Sequence, residues 1–175
     1  MQAGFFRNMN NFAGRFQPEL RKLKPNSEIM TNVDTSPVIV TQHFTASVEI
    51  VWRAITQREQ MTQWFFENIP AFEAVEGFET RFIIENEGRV FPHHWQIKTV
   101  VPQQKIVLGW RYEGYEGDSD VIFELKEEDE ETVLTVTHQV TQPFPSGIPE
   151  FTRESCEGGW RYFIHERLTD YLSNQ

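Results

Sequence analysis

Histidine and cysteine are the side chains here best suited to proton transfer, metal binding or nucleophilic attack, and the chain has five of the first and one of the second. His138 shares one side of an alternating stretch with Leu134 and Val136, opposite Val133, Thr135 and Thr137. If that side faces inward, His138 is placed to donate to a ligand carbonyl or to act as acid or base near neutral pH. It could equally bond to a neighbouring strand or to Tyr112. His94 is the second polar candidate. His93 and His94 are adjacent on one predicted strand, so they point to opposite faces and cannot share a metal ion. His43 and His165 show no ligand spacing with any acidic residue, and no metal site is expected. Cys156 lies near the start of the last predicted helix, where the helix dipole would lower its pKa. No histidine occurs within a turn of it, so it reads as a quiet structural thiol and no catalytic residue is assigned. The sequence has no phosphate-binding glycine loop and no dinucleotide fingerprint, so no cofactor is expected.

The second set of candidates is aromatic. Trp64, Phe65, Phe82, Ile84, Trp110 and Tyr112 come from the first two-thirds of the chain, and Phe123, Trp160, Phe163 and Ile164 from the last. As a group they either fill the interior or wall a slot for an aromatic or acyl ligand between a sheet and a helix. The number of large rings with polar tips favours some cavity, because buried Trp and Tyr usually need a partner for their polar atoms.

Positioning these residues requires a particular order of elements. Val38-Ile39-Val40, with Thr41 and Phe44, reads as a first strand behind Pro37. Ser47 is placed to cap a helix whose Val48, Val51, Trp52 and Ile55 recur at one-face spacing. Thr56 and Glu59 have capping-box spacing for a second short helix carrying Met61, Trp64 and Phe65. Five alternating segments follow from Thr80 to Thr141, joined by short turns at Glu87-Gly88, after Pro102, at 114–118 and at the acidic run 127–131, so they pair antiparallel with one covered face. Arg81 and Arg111 fall on the outward side. The acidic run reads as a solvated hairpin turn. From Phe151 to Leu172 a long helix presents Trp160, Phe163, Ile164, Leu168, Tyr171 and Leu172 as an apolar stripe. Gly158 and Gly159 interrupt its first half, each at about 1 kcal/mol relative to Ala, which suits a close approach or a bend.

Composition narrows the class. The 175 residues are 39% hydrophobic and 14% aromatic, with 15 Phe and 5 Trp, enough for one core. No apolar run approaches the ~18 residues of a membrane-spanning helix, so a soluble chain is expected. One cysteine excludes an internal disulfide and points to a reducing, cytoplasmic setting. The net charge of -10 is uneven: residues 1–30 carry five basic and two acidic residues, and the rest carries 11 basic and 24 acidic. A body that acidic repels phosphate backbones, so nucleic acid is not an expected partner. Residues 1–34 form a basic extension in which Phe5, Met9, Phe12, Phe16 and Leu20 recur at helical spacing, although Pro18 would break such a helix before its end. Two readings stand, an amphipathic arm or an extension upstream of the true start at Met30, and the fold is assigned to residues 35–175.

Strand, two short helices, antiparallel meander and long C-terminal helix make the order of a helix-grip fold, an α+β class in which a curved sheet wraps the last helix. The segments "VEIVWRAIT" at Val48–Thr56, "MTQWF" at Met61–Phe65, "VVPQQKIVLGW" at Val100–Trp110, "SDVIFEL" at Ser119–Leu125, "ETVLTVTH" at Glu131–His138 and "GGW" at Gly158–Trp160 carry the resemblance. Together, over roughly residues 37–173, they resemble the C-terminal-like domain of the activators of heat shock protein 90 ATPase, in the START-like (SRPBCC) superfamily. The eukaryotic co-chaperones carry a separate domain before the matching one, and the residues preceding the match here are too short to supply it. The resemblance implies three functions. The first is a stand-alone module binding a small hydrophobic or aromatic ligand. The second is a co-chaperone acting through its surface on a heat shock chaperone. The third is a cyclase- or aromatase-like enzyme using His138 or His94.

Overall fold

The computed structural model describes residues 36–175, and the calls on the segment 1–34 lie outside them. In chain order the elements are β1 (Val38–Phe44), α1 (Val48–Thr56), α2 (Arg58–Trp64), β2 (Glu79–Asn86), β3 (Arg89–Val101), β4 (Lys105–Tyr112), β5 (Asp118–Glu128) and β6 (Glu131–Gln142). A 3-10 turn at Pro149–Phe151 leads into α3 (Arg153–Arg161), a π-helical segment at Tyr162–Leu168 and α4 (Thr169–Ser173). The six strands form one antiparallel sheet in the order β1-β6-β5-β4-β3-β2. The expected α+β helix-grip architecture is the one observed: a curved sheet with short helices after the first strand and a long helical C-terminus.

Local chemistry explains the hairpins. Between β2 and β3, Glu87 and Gly88 both adopt positive φ, and between β5 and β6 so do Asp129 and Glu130. That backbone matches the twist of paired strands, and Gly accepts it without a Cβ penalty. The acidic run is therefore the exposed tip of the β5–β6 hairpin, as its like charges require. Register shifts at Ile97/Thr99 and at Asp118/Ser119 interrupt the ladders, and such irregularities bend strands.

Alternation then sorts the two faces. Phe82, Phe91, Trp95, Ile97, Ile106, Leu108, Val121, Phe123, Leu134 and Val136 are buried on the inner one. The C-terminal helix lays Trp160, Phe163, Ile164 and Leu168 against it, with Ile164 and Leu168 fully enclosed. Each such side chain contributes about 1.5–3 kcal/mol through burial.

Two local expectations are corrected. Ser47 caps α1 as expected, accepting from the Ile50 amide at 3.4 Å. Thr56 does not cap α2: the residue there is Gln57, with no side-chain cap bond, because Thr56 is still the last residue of α1 and its hydroxyl donates to the Trp52 carbonyl at 2.6 Å. The long C-terminal helix begins at Arg153, capped by Thr152, whose hydroxyl accepts from the Ser155 amide at 3.2 Å. It passes through the π segment, where the Thr169 hydroxyl donates to the Ile164 carbonyl at 3.1 Å.

The loop 143–152 crosses one end of the sheet and is pinned by Glu150. Arg89 Nε donates to both Glu150 carboxylate oxygens, at 3.0 and 3.1 Å, and Asn86 Nδ2 donates to one at 2.9 Å. Burial raises the Glu150 pKa, but Arg89 and Asn86 outweigh it and hold the carboxyl below its usual range. Among the described residues no helix is long and apolar enough to cross a membrane.

Candidate functional site

The site is an aromatic layer between the sheet and the C-terminal helix. The end of α2 supplies its centre. Trp64 is anchored by donation from its indole to the Ala54 carbonyl at 2.8 Å, and the chain then turns so that Phe65 and Phe66 enter the interior. Phe65 touches both sides: its ring lies 5.6 Å from Trp95 and 6.3 Å from Trp110 on the sheet, and 5.6 Å from Trp160 and 4.5 Å from Phe163 on the helix. Phe82 stacks on His93 at 4.9 Å and meets Trp95 edge-on at 4.7 Å. Phe123 meets Trp160 edge-on at 5.6 Å. Offset and edge-on pairs of this kind are the favoured aromatic geometries.

The expected wall residues Trp64, Phe65, Phe82, Trp110, Phe123, Trp160, Phe163 and Ile164 are all buried on this inner side. Ile84 and Tyr112 share the face but keep part of their surface in solvent. His94 does not join them. Odd-numbered Phe91, His93, Trp95 and Ile97 point inward, so His94 occupies the outer face, buried beneath an ionic cluster. There its Nε2 donates to Glu79 at 3.1 Å and its Nδ1 accepts from Arg111 Nε at 2.9 Å. Hydrogen bonds from His94 and Arg81 outweigh burial and lower the Glu79 pKa.

The histidine on the inner face is therefore His93, together with His138. His93 Nδ1 donates to the Phe91 carbonyl at 2.9 Å, and burial lowers its pKa to about 4. His138 takes neither of its expected partners. Its Nδ1 accepts from Trp160 Nε1 at 3.0 Å and lies 3.3 Å from Cys156 Sγ. An indole N–H can only donate, so Nδ1 carries the lone pair and Nε2 the proton. Burial depresses the His138 pKa to about 4, with Asp120 opposing weakly. Burial raises the Cys156 thiol to about 12, against the opposing influence of Arg153 and Trp160. The contact is thus a neutral thiol beside a neutral imidazole at physiological pH, which is not the thiolate–imidazolium arrangement of an activated nucleophile. Among the described residues no cluster of three or more His, Cys, Asp or Glu side chains is arranged to hold a metal ion.

Sequence reasoning missed a polar row across the strands. Thr80 pairs with Trp95, Trp95 with Trp110, and Trp110 with Ser119. The Ser119 hydroxyl is satisfied by donation to the Trp110 backbone carbonyl at 2.9 Å. Thr80 Oγ1, Trp95 Nε1 and Trp110 Nε1 are fully enclosed and meet no partner at hydrogen-bond geometry. The Trp110 indole does interact with the Tyr112 hydroxyl, opposing the burial that pushes the Tyr112 phenol up. Burying such a group without a partner costs about 1–3 kcal/mol.

A curved antiparallel sheet gripping a C-terminal helix, with an aromatic layer between them, defines the START-like class. The sequence profile of the family described as activator of Hsp90 ATPase homolog 1-like protein matches residues 45–173, and the chain belongs to that family. Among solved structures it is similar to DynU16, described as a putative protein in the dynemicin biosynthetic locus (27% identity, TM-score 0.61), over 78% of this chain and 47% of that one. The match thus spans about half of DynU16. CalU16 from Micromonospora echinospora is 26% identical with a TM-score of 0.58, over 78% of this chain and 76% of that one. The Aha1 dimer from Colwellia psychrerythraea shares the fold at 20% identity and a TM-score of 0.58, over 78% of this chain and 95% of that one. No curated protein matches.

Proposed function

We propose that this protein binds a small hydrophobic or aromatic ligand, without catalysis, between the inner face of the sheet and the C-terminal helix. The observation that carries the reading is the pair of enclosed, unpartnered indole donors of Trp95 and Trp110 beside the Thr80 hydroxyl. Native proteins leave few buried polar groups unpaired, and apolar pockets with a few converging polar groups are the usual small-molecule sites. A co-chaperone acting through its surface has no use for interior donors, so that reading leaves the row unexplained. A cyclase-like reading needs an acid or base, and His138 is held neutral with its Nδ1 occupied. The likeness to DynU16, described as part of a biosynthetic locus, sits well with a small-molecule role.

The test is native mass spectrometry and fluorescence of the full chain with N-phenyl-1-naphthylamine, a neutral apolar fluorophore. A one-to-one complex with enhanced emission is expected. A probe that stays free at protein concentrations of tens of micromolar contradicts the reading.

A further inference from the structure

The unpartnered groups also constrain what the ligand carries. We infer that the site selects an uncharged aromatic molecule bearing a hydrogen-bond acceptor, such as a ring ketone, which the Trp95 and Trp110 indoles receive, and that it rejects the corresponding carboxylate; this rests on the binding reading above.

The argument starts from a contrast among four enclosed indoles. Trp64 donates to the Ala54 carbonyl and Trp160 to His138, so the fold readily supplies acceptors to buried tryptophans. Trp95 and Trp110, 0% and 5% exposed and neighbours across β3 and β4, meet none at hydrogen-bond geometry, although the Trp110 indole lies close enough to the Tyr112 hydroxyl to interact with it. An indole N–H donates and never accepts. A ligand that satisfies the pair must therefore bring acceptor oxygens or nitrogens. Thr80, next in the row, offers a hydroxyl that can add a third bond.

Charge is the second constraint. No Lys, Arg, Asp or Glu is among the buried residues described on the inner face, and the enclosed Glu150 carboxylate, 7% exposed, lies in the loop 143–152 paired with Arg89. The nearest arginines in the register, Arg81 and Arg111, stand on the outer face, where Arg81 pairs with Glu113 and Glu79 and Arg111 bonds His94. His93 and His138, the two inner-face histidines, are neutral at physiological pH. A carboxylate brought here would lose its hydration without meeting a cation, which is far more costly than burying a ketone. The Nε2 lone pair of neutral His93 would accept from a ligand hydroxyl, which extends tolerance to phenols and not to anions.

Three probes with one skeleton separate these terms: fluorene, 9-fluorenone and 9-fluorenone-4-carboxylate, titrated at pH 7 against the full chain by tryptophan quenching and by calorimetry. Fluorenone is expected to bind about tenfold more tightly than fluorene, the effect of about 1.4 kcal/mol. The carboxylate is expected to bind at least tenfold more weakly than fluorenone. In Trp110→Phe, and separately in Trp95→Phe, the ratio of ketone to hydrocarbon affinity, measured within each variant, should fall towards unity. Equal binding of fluorene and fluorenone, as expected if an ordered water already satisfies the indoles, overturns the inference. So does equal binding of the carboxylate, or a ketone preference that survives both substitutions. Failure of all three probes to bind overturns the proposed function and takes this inference with it.

Discussion

Trp95 and Trp110 sit opposite each other on β3 and β4 with ring centroids 4.8 Å apart, and neither indole N–H meets a partner at hydrogen-bond geometry. Their ring faces are well used, against each other and against Phe65 and Phe66. The polar tips are the exception in a layer that is otherwise closely matched. Unsatisfied groups of this kind lower stability, and they persist where a site needs them.

Thr80 offers the cleanest measure of that burden. Valine has nearly the shape of threonine without the unpaired hydroxyl, so Thr80→Val should raise the stability of the ligand-free protein by about 1 kcal/mol. Urea unfolding with an unchanged slope and a higher midpoint would show it. A lower midpoint would mean that the hydroxyl is satisfied in solution.

Acid should destabilise the fold through its inner histidines. His93 and His138 titrate near 4 when folded, against ~6.5 when unfolded. Between those values the unfolded chain holds more protons, so stability is complete above about pH 6.5 and is lost as pH falls towards 4. Each group accounts for roughly 3 kcal/mol at most across that window, from ~1.4 kcal/mol per pKa unit. His93→Phe, which preserves a ring against Phe82, should make the decline between pH 6.5 and 4 about half as steep. An unchanged decline would place the acid sensitivity elsewhere.

Cys156 should be inert in the native protein. With its thiol raised to about 12 by burial, the thiolate fraction at pH 8 is on the order of one in ten thousand. Ellman's reagent is therefore expected to label Cys156 only after denaturation. Rapid stoichiometric labelling of folded protein would show an activated thiol and would reopen the enzymatic reading.

Gly117 is required by both its backbone and its neighbour. Its φ is 113°, a conformation side chains rarely adopt, and a Cβ there would lie 2.2 Å from Phe144 Cδ1 in the loop that crosses the sheet. Gly117→Ala should cost about 1–3 kcal/mol and loosen residues 143–151. Calorimetry and amide exchange of that loop report the two effects separately.

Much of this arrangement is legible in the sequence because period-two alternation reports faces directly. Phe82, Trp110, Phe123 and His138 all occupy the side their spacing implies. His94 fails for a specific reason: it and His93 are adjacent, and only the parity of Phe91, Trp95 and Ile97 decides which of them faces inward. That signal is present in the sequence, and the same parity would have added Trp95 to the wall. The His138–Cys156–Trp160 cluster has no such local signal, since it forms only when the loop 143–152 returns the chain across the sheet. The π segment at Tyr162–Leu168 likewise depends on packing: the glycine pair before it hints at irregularity without fixing its kind. Unpaired indoles are beyond any sequence pattern, because pairing is decided by atoms on other strands.

The most direct test follows the indole N–H resonances of 15N-labelled protein while 9-fluorenone is added. Single Trp→Phe variants assign the five signals. The account predicts that the Trp95 and Trp110 resonances shift downfield together as an acceptor reaches them, while Trp64 and Trp160, already paired, move little. Saturable binding that leaves Trp95 and Trp110 unmoved, or that perturbs only the half-buried Trp52, would contradict it.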